Sequence, residues 1–446
     1  MRGVSAVDNT LNKKGEGLYD WDAEELEANL ARCVRSVLAK SKGSIGVAAV
    51  TGQGSAPVCL DSEGRPVCLV ISHLDRRAAA QRKEIFREAG EVGYVPAKIF
   101  PNLLWLREND GSGFGRIKHV LDVREYVGYL LSGVFSFDSH SMGKAKLDKL
   151  SALVKLDPEV FGEAHDYLHP IGLTARSGAG KLGVEDGLPV ILAPGDSTCA
   201  AIGSGLGSGG AVCDVAGSTE VVATLVDNLS KVNVPGLYRI PHLAAGKSFL
   251  FMSPPLGFIY KWFVDSFYHQ TNESHEYDLV DREAAATQES ESNPYFIPMI
   301  RTSGYNYDIE ADFVGVSMSH ARGNLARSVM EGLAMKVRSS LERMKASGVK
   351  VEKVRLSGGC ASSEVWNQIR ADVYGTVTEL CQTLETSSLG AAMVASVAVG
   401  TYGDILEAER EMVGVGKTYR PRTSAVKVYD RAYEAYVEKA KALGGE

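Results

Sequence analysis

Gly195-Asp196-Ser197-Thr198-Cys199-Ala200-Ala201-Ile202-Gly203 follows directly on the apolar run Val190-Ile191-Leu192-Ala193 and Pro194. A strand-like run that delivers one carboxylate onto a small, flexible turn, with residues behind it small enough for close backbone packing, is a way to present a catalytic base. Asp196 is the first candidate for that base. The alternative is that Asp196 caps the following segment as an ordinary turn residue, and these nine residues alone leave both readings open.

Length and composition bound the rest. At 446 residues the chain exceeds one ordinary core and predicts two or three domains, with two large lobes the simplest arrangement. A hydrophobic content of 45% places it among globular proteins and against disordered or fibrous classes. The net charge of -7, with Lys and Arg spread along the chain, gives no electrostatic footprint for nucleic acid. Seven cysteines form no CxxC pair, and their odd number argues against a complete disulfide framework and for a reducing compartment. No His/Cys cluster suggests structural zinc. There is no basic-then-apolar leader and no apolar run near the roughly 20 residues that span a bilayer. The expectation is a cytoplasmic protein with no membrane partner.

Along the chain, the residues through Lys14 are polar and weakly patterned. Asp22 with Glu25 reads as a capping box, and Leu26, Leu30, Val34, Val37 and Leu38 continue at helical spacing. Ile45 to Val50 reads as a buried strand that ends at Thr51-Gly52-Gln53. Val58-Cys59-Leu60, the turn Asp61-Ser62-Glu63-Gly64 and Val67 to Ile71 predict a hairpin leading into Ser72-His73-Leu74-Asp75-Arg76-Arg77. Polar groups at two neighbouring strand ends can converge on a hydroxylated ligand; the alternative is a solvated helix start. Residues 78 to 186 read mostly as helices, with Leu103-Leu104-Trp105-Leu106 in a core and Gly111-Ser112-Gly113 as a loop.

Beyond Asp196, the strand Ala211 to Ala216, the triplet Gly217-Ser218-Thr219 and the strand Val221 to Val226 form a candidate phosphate cradle. Glycine lets backbone N–H groups face an anion, and the hydroxyls add donors. A plain hairpin turn is the alternative. Residues 265 to 294 read as an acidic surface insertion or exposed helix. Leu325, Val329, Leu333, Val337 and Leu341 mark a long amphipathic helix. Val354 to Ser357 reads as a strand that breaks at Gly358-Gly359, before a helix capped by Ser362 or Ser363 with Trp366, Ile369 and Val373 on its buried face. Strand, Gly-Gly and helix N-terminus together can form a nucleotide platform. Val377 to Leu380 is a short strand, Leu389 to Ala395 lies in a helix with a small-residue face closed by Gly400, and the tail from about 425 is amphipathic.

Gly195-Asp196 with Ala200-Ala201 and Gly203, Gly217-Ser218-Thr219, Glu331-Gly332, Gly358-Gly359 through Ser363, Trp366, Gln368, Ala371-Asp372 and Gly375, and Leu389-Gly390-Ala391-Ala392 resemble the FGGY carbohydrate kinases in order and spacing. The resemblance runs from about residue 15 to 420, includes Thr51-Gly52-Gln53 and Asp75 with Arg77, and is nearest the xylulokinase-like branch. It implies an α/β fold of two actin-like, ribonuclease-H-like domains, residues 1–193 on the sugar side and 194–446 on the ATP side, around a central cleft. It implies ATP and Mg2+ as cofactors and a sugar or polyol as substrate, such as a ketopentose. Asp196 would be the base, Gly217, Ser218 and Thr219 would hold ATP phosphates, and Gly358, Gly359 and Ser363 would lie against the nucleoside. Gln53, Asp75 and Arg76 would lie near the sugar. No protein ligand to a metal is singled out, and family habit suggests a homodimer.

Several features depart from the pattern. Relatives open with a hairpin carrying an Asp-Gly-Thr-Thr type turn that contacts ATP phosphates. Met1 falls where that hairpin should be ending, so the opening segment reads as the remnant of its second strand and the first domain as N-terminally incomplete. A late start codon is the preferred explanation. The rival is a catalytically impaired relative that binds sugar or nucleotide as a sensor or regulatory protein. Ser218 stands where Thr is usual, Ser197 where Asn or Gln often follows the base, and Asn102 where a Lys commonly precedes the Leu-Leu-Trp patch. A Gly-x-Arg-x-Pro type loop is not clear near Arg301-Thr302-Ser303-Gly304.

Overall fold

Short strands separated by helices organise the first two hundred residues, and a single larger sheet organises the remainder. The computed structural model describes residues 3–15, 17–41, 43–90, 92–93, 95–175, 180–217, 219–228, 232–269, 276–303 and 306–444. These form two compact units, one built on Met1–Cys199 and Ala391–Gly403, the other on Ala200–Ser303, Tyr307–Gly390 and Asp404–Glu446.

The first unit carries β1 (Asn12–Gly15), β2 (Leu18–Trp21), β3 (Ala48–Val50), β4 (Val58–Leu60), β5 (Val70–Ile71), β6 (His119–Leu121), β7 (Ser136–Asp138), β8 (Glu163–His165), β9 (Gly172–Leu173) and β10 (Pro189–Leu192). They pair in small sheets, β1-β2-β5, β3-β10-β9, β4-β6 and β7-β8. The pairing that matters for function is β3 beside β10, parallel and in register from Ala48↔Val190 to Val50↔Leu192. Both strands run into polar turns at the same end, Thr51-Gly52-Gln53 and Gly195-Asp196. Behind them the helix Val123–Ser132 buries Tyr126, Leu130 and Leu131 with Val190 and Leu192.

Three expectations change here. The predicted hairpin makes its turn, with Gly64 N bonded to Asp61 O, but its arms part: β4 pairs with β6, β5 pairs with β2, and only the bridge Leu60↔Pro66 joins them. The capping box at Asp22 is half formed. Asp22 accepts from Glu24 N at 2.8 Å, whereas Glu25 turns back to Thr10, accepting from its N and Oγ1. The Gly111–Gly115 segment is a helical turn, not a loop, because Asp110 accepts from Gly113 N. The opening segment, read above as the remnant of a strand, carries β1, which pairs antiparallel with β2.

In the second unit, β11 (Ala211–Ala216), β12 (Glu220–Asp227), β13 (Tyr238–Pro241), β14 (Lys247–Met252), β17 (Lys353–Ser357), β18 (Val377–Cys381) and β19 (Val415–Tyr419) form one mixed sheet, ordered β13-β14-β12-β11-β17-β18-β19. A separate pair, β15 (Tyr295–Ser303) and β16 (Asn306–Val314), stands beside it in sequence. Strands β11, β17 and β18 are parallel neighbours, so their C-terminal ends emerge on one edge, where open α/β sheets bind ligands. The helix Arg322–Ala346 buries Val329, Met330, Leu333 and Leu341 in a core with Val212, Leu356, Phe296 and Trp366. The acidic stretch after residue 265 includes the helix Glu276–Ala286, which buries Val280 and Ala284 in that core and so is an integral element. All seven cysteines are free, and no helix among the described residues is long and apolar enough to cross a membrane.

Candidate active site

Asp196 sits at the start of the helix Asp196–Gly203 and is exposed. Its backbone is held tightly: Asp196 N donates to Gly52 O at 3.1 Å, and Thr51 Oγ1 donates to Pro194 O at 2.7 Å. The two turns at the ends of β3 and β10 are thus one polar patch, with Gln53, half-buried, next to the residue that grips Asp196. The carboxylate also accepts from Ser197 N at 2.7 Å. One carboxylate oxygen thus engages the first turn of the helix, and the residue is exposed.

Asp75 and Arg76 fall differently. Asp75 is 3% exposed, and its carboxylate accepts from Tyr19 N, Arg77 N at 2.7 Å, Arg77 Nε at 2.9 Å and Arg77 Nη2 at 2.7 Å. Arg77 also reaches Asp20 at 3.1 Å and lies 5.2 Å over the Trp105 ring. It is thus Arg77, not Arg76, that pairs with Asp75. Arg76 is exposed, with its stem across Gly17.

Three groups here were not among the site residues that the sequence singled out. His73 feels the Asp196 charge, but burial first and then the Lys98 ammonium push its pKa down to about 4. Lys98 Nζ donates to His73 O at 2.9 Å, and burial with the Arg82 and Arg76 charges lowers its pKa to about 7. Asp122 accepts from Ser55 N at 2.6 Å, Ala56 N at 3.0 Å and Val123 N at 2.9 Å. Ser55 is fully buried with φ of 77°, a left-handed conformation costly for a residue with a Cβ, so Asp122 holds the chain just after Gln53 in a strained turn. Neighbouring Arg124 donates to Ala193 O at 2.9 Å, anchoring the other turn. The helix Val123–Ser132 therefore positions both turns from one end. An Asp immediately before a helix was the available signal.

In the second unit the two glycine turns adjoin. Val215 of β11 pairs with Ser357 of β17, so Gly217 and Gly358 leave the sheet side by side. Gly358 has φ of 83°, and a Cβ there would lie 2.6 Å from Ala216 O, so only glycine permits this approach. Gly359 is exposed, and a Cβ on it would meet nothing within 4 Å, leaving space for a ligand. Thr219 is half-buried in the turn; Ser218 lies outside the described residues. Ser363, rather than Ser362, caps the helix Glu364–Tyr374, accepting from Trp366 N at 3.0 Å and donating to Asp281 Oδ1 at 2.8 Å. These turns suit the phosphates and nucleoside of a nucleotide. Mg2+ would enter on the phosphates, as it does where substrate oxygens and waters complete its shell; among the described residues no group of three or more metal-binding side chains forms a cage.

Other motif residues serve the scaffold. Gly332 admits Phe296 O, while Glu331 accepts from Arg327 Nε at 2.7 Å and Tyr429 OH at 2.7 Å. Gly203 admits Thr386 O and Gly390 N. Asp372 accepts from Arg422 N, Nε and Nη2 at 2.7 to 2.9 Å, tying the helix Glu364–Tyr374 to the final helix.

An α/β chain with a carboxylate at one strand end and adjoining glycine turns at two others has the outline of a nucleotide-dependent phosphotransferase. Sequence models of the FGGY family of carbohydrate kinases match it, the N-terminal domain over residues 2–203 and the C-terminal domain over residues 244–399. The chain belongs to the FGGY family of carbohydrate kinases. It is 25% identical to the L-xylulose/3-keto-L-gulonate kinase of Escherichia coli strain K12 over 96% of this chain and 90% of that one. It is 25% identical to a xylulose kinase of Staphylococcus epidermidis over 86% of this chain and 80% of that one. The crystal structure of xylulose kinase from Rhodospirillum rubrum superposes with a TM-score of 0.78 at 22% identity, covering 98% of this chain and 93% of that chain. Plasmodium falciparum glycerol kinase with ADP gives 0.73 at 16%, covering 97% and 92%. The fold is the two-domain, actin-like one.

Proposed function

We propose that this carbohydrate kinase transfers the γ-phosphoryl group of ATP to a hydroxyl of a small sugar or polyol, a ketopentose such as xylulose, with Asp196 as general base. The observation that carries the proposal is the fixed, exposed Asp196 bonded through its backbone to the Gly52 end of the Gln53 turn. In the step, the sugar hydroxyl gives its proton to the Asp196 carboxylate, its oxygen forms a bond to the γ-phosphorus, and the bridging bond to the β-phosphate breaks to release ADP. Because the transition state is loose, positioning and charge neutralisation dominate, and a carboxylate suffices as base when the proton moves late. Bound Mg2+ would neutralise phosphate charge. Gly217, Ser218 and Thr219 hold the phosphates; Gly358, Gly359 and Ser363 border the nucleoside. Gln53, Asp75 and Arg76 lie near the sugar, Asp75 acting chiefly by fixing Arg77 and the Tyr19 backbone.

The test is ADP release from ATP against a panel of sugars and polyols headed by D-xylulose, L-xylulose and 3-keto-L-gulonate, since relatives are named for such acceptors. Sugar-dependent release by the wild type, lost by about 10³-fold in Asp196→Asn with ATP binding retained, is the expected result. Undiminished turnover by the variant would remove Asp196 as the base.

A further inference from the structure

The phosphate turn has an acid on either side of it. Asp214 precedes Gly217 by three residues on β11, and Glu220 follows Thr219 at the start of β12. In the antiparallel register Ala216 opposes Glu220, and Asp214 lies two residues before Ala216, so all three face the same side of the sheet. Asp214 is 0% and Glu220 3% exposed. Two carboxylates buried beneath a turn that binds polyphosphate would repel the ligand and each other unless a cation answered them.

Arg370 is that cation. It is 1% exposed, with Nε 3.6 Å from Asp214 Oδ2 and Nη2 3.4 Å from Glu220 Oε1, and its guanidinium lies 4.3 Å over the Trp366 ring. Tyr374 OH donates to Asp214 Oδ2 at 2.7 Å. Burial first, then the Asp214 charge, push the Glu220 carboxyl well above the usual range, against the pull of Arg370. Arg370, Trp366 and Tyr374 all lie on the helix Glu364–Tyr374, whose cap is Ser363. Asp214 Oδ1 and Arg370 Nη1 have no hydrogen-bond partner, so this cluster is not one optimised for stability alone.

We propose that Arg370 is a positioning residue for the nucleotide phosphates: it grips both shoulders of the Gly217–Thr219 turn from the helix that carries the nucleoside-side Ser363. The inference rests on the nucleotide reading of the second unit. It is tested by calorimetric titration of the full chain with MgADP, alongside circular dichroism and thermal melts. Arg370→Met is expected to weaken MgADP by about tenfold or more, and Arg370→Lys, which keeps the charge, to recover most of the affinity. Should Arg370→Met fail to fold, the charge-free D214N/E220Q/R370M chain takes its place and is expected to bind as weakly. Folded Arg370→Met, or the triple variant, binding MgADP within about twofold of wild type overturns the inference alone. A folded wild-type chain that binds no MgADP overturns the inference and the nucleotide reading together.

Discussion

His73 and Asp122 show how single half-buried groups set the terms around the proposed base. His73 has a pKa of about 4 in the folded chain against about 6.5 when unfolded. The unfolded chain then binds more protons between those values, so the stability that neutral His73 supplies is full above about pH 6.5 and is lost as pH falls toward 4. Thermal melts from pH 7 to 4.5 should therefore show His73→Gln losing less stability on acidification than wild type, by up to about 1.4 kcal/mol per pH unit. Equal losses would contradict the assignment. Asp122 satisfies three backbone N–H groups from inside the protein. Asp122→Ala strands them, and an urea melt should show a loss of about 2–3 kcal/mol.

Elements matter here by where they end. The parallel pair β3 and β10 ends in the Gly52-Gln53 and Gly195-Asp196 turns, and the parallel pair β11 and β17 ends in the Gly217 and Gly358 turns. Gly358→Ala adds a Cβ 2.6 Å from Ala216 O in a left-handed conformation, so a loss of about 1–3 kcal/mol in thermal or urea unfolding is expected. Ser363→Ala removes a cap and should cost about 1 kcal/mol. The runs that form β10, β11 and β17, and the amphipathic helix after Arg322, were legible because apolar period and glycine stops report locally. The splayed arms after Leu60 were not, because the partners of β4 and β5 are β6 and β2, about 60 and 50 residues away, and a hairpin pattern carries no information about them. Nor was the division of labour among glycine motifs: Gly332 and Gly203 admit neighbouring backbone, whereas Gly359 opens on space. Spacing alone shows glycine, and only packing shows what the missing Cβ makes room for. Arg370 was hidden in the same way, its acids lying about 150 residues upstream.

At the scale of the molecule, the proposed function assigns acceptor and donor to different units, the first fixing a carboxylate and the second offering two glycine turns. That division predicts selective damage: substitutions at Asp196 should abolish transfer while nucleotide still binds, and Arg370 variants should lose nucleotide while the Asp196 turn stays intact. The most direct measurement is a ³¹P NMR time course of ATP with the acceptor that releases most ADP. The account predicts a new sugar phosphomonoester growing in step with ADP, absent without the sugar and slowed by about 10³-fold in Asp196→Asn. Inorganic phosphate appearing at the same rate with and without sugar, or a variant as fast as wild type, would contradict it.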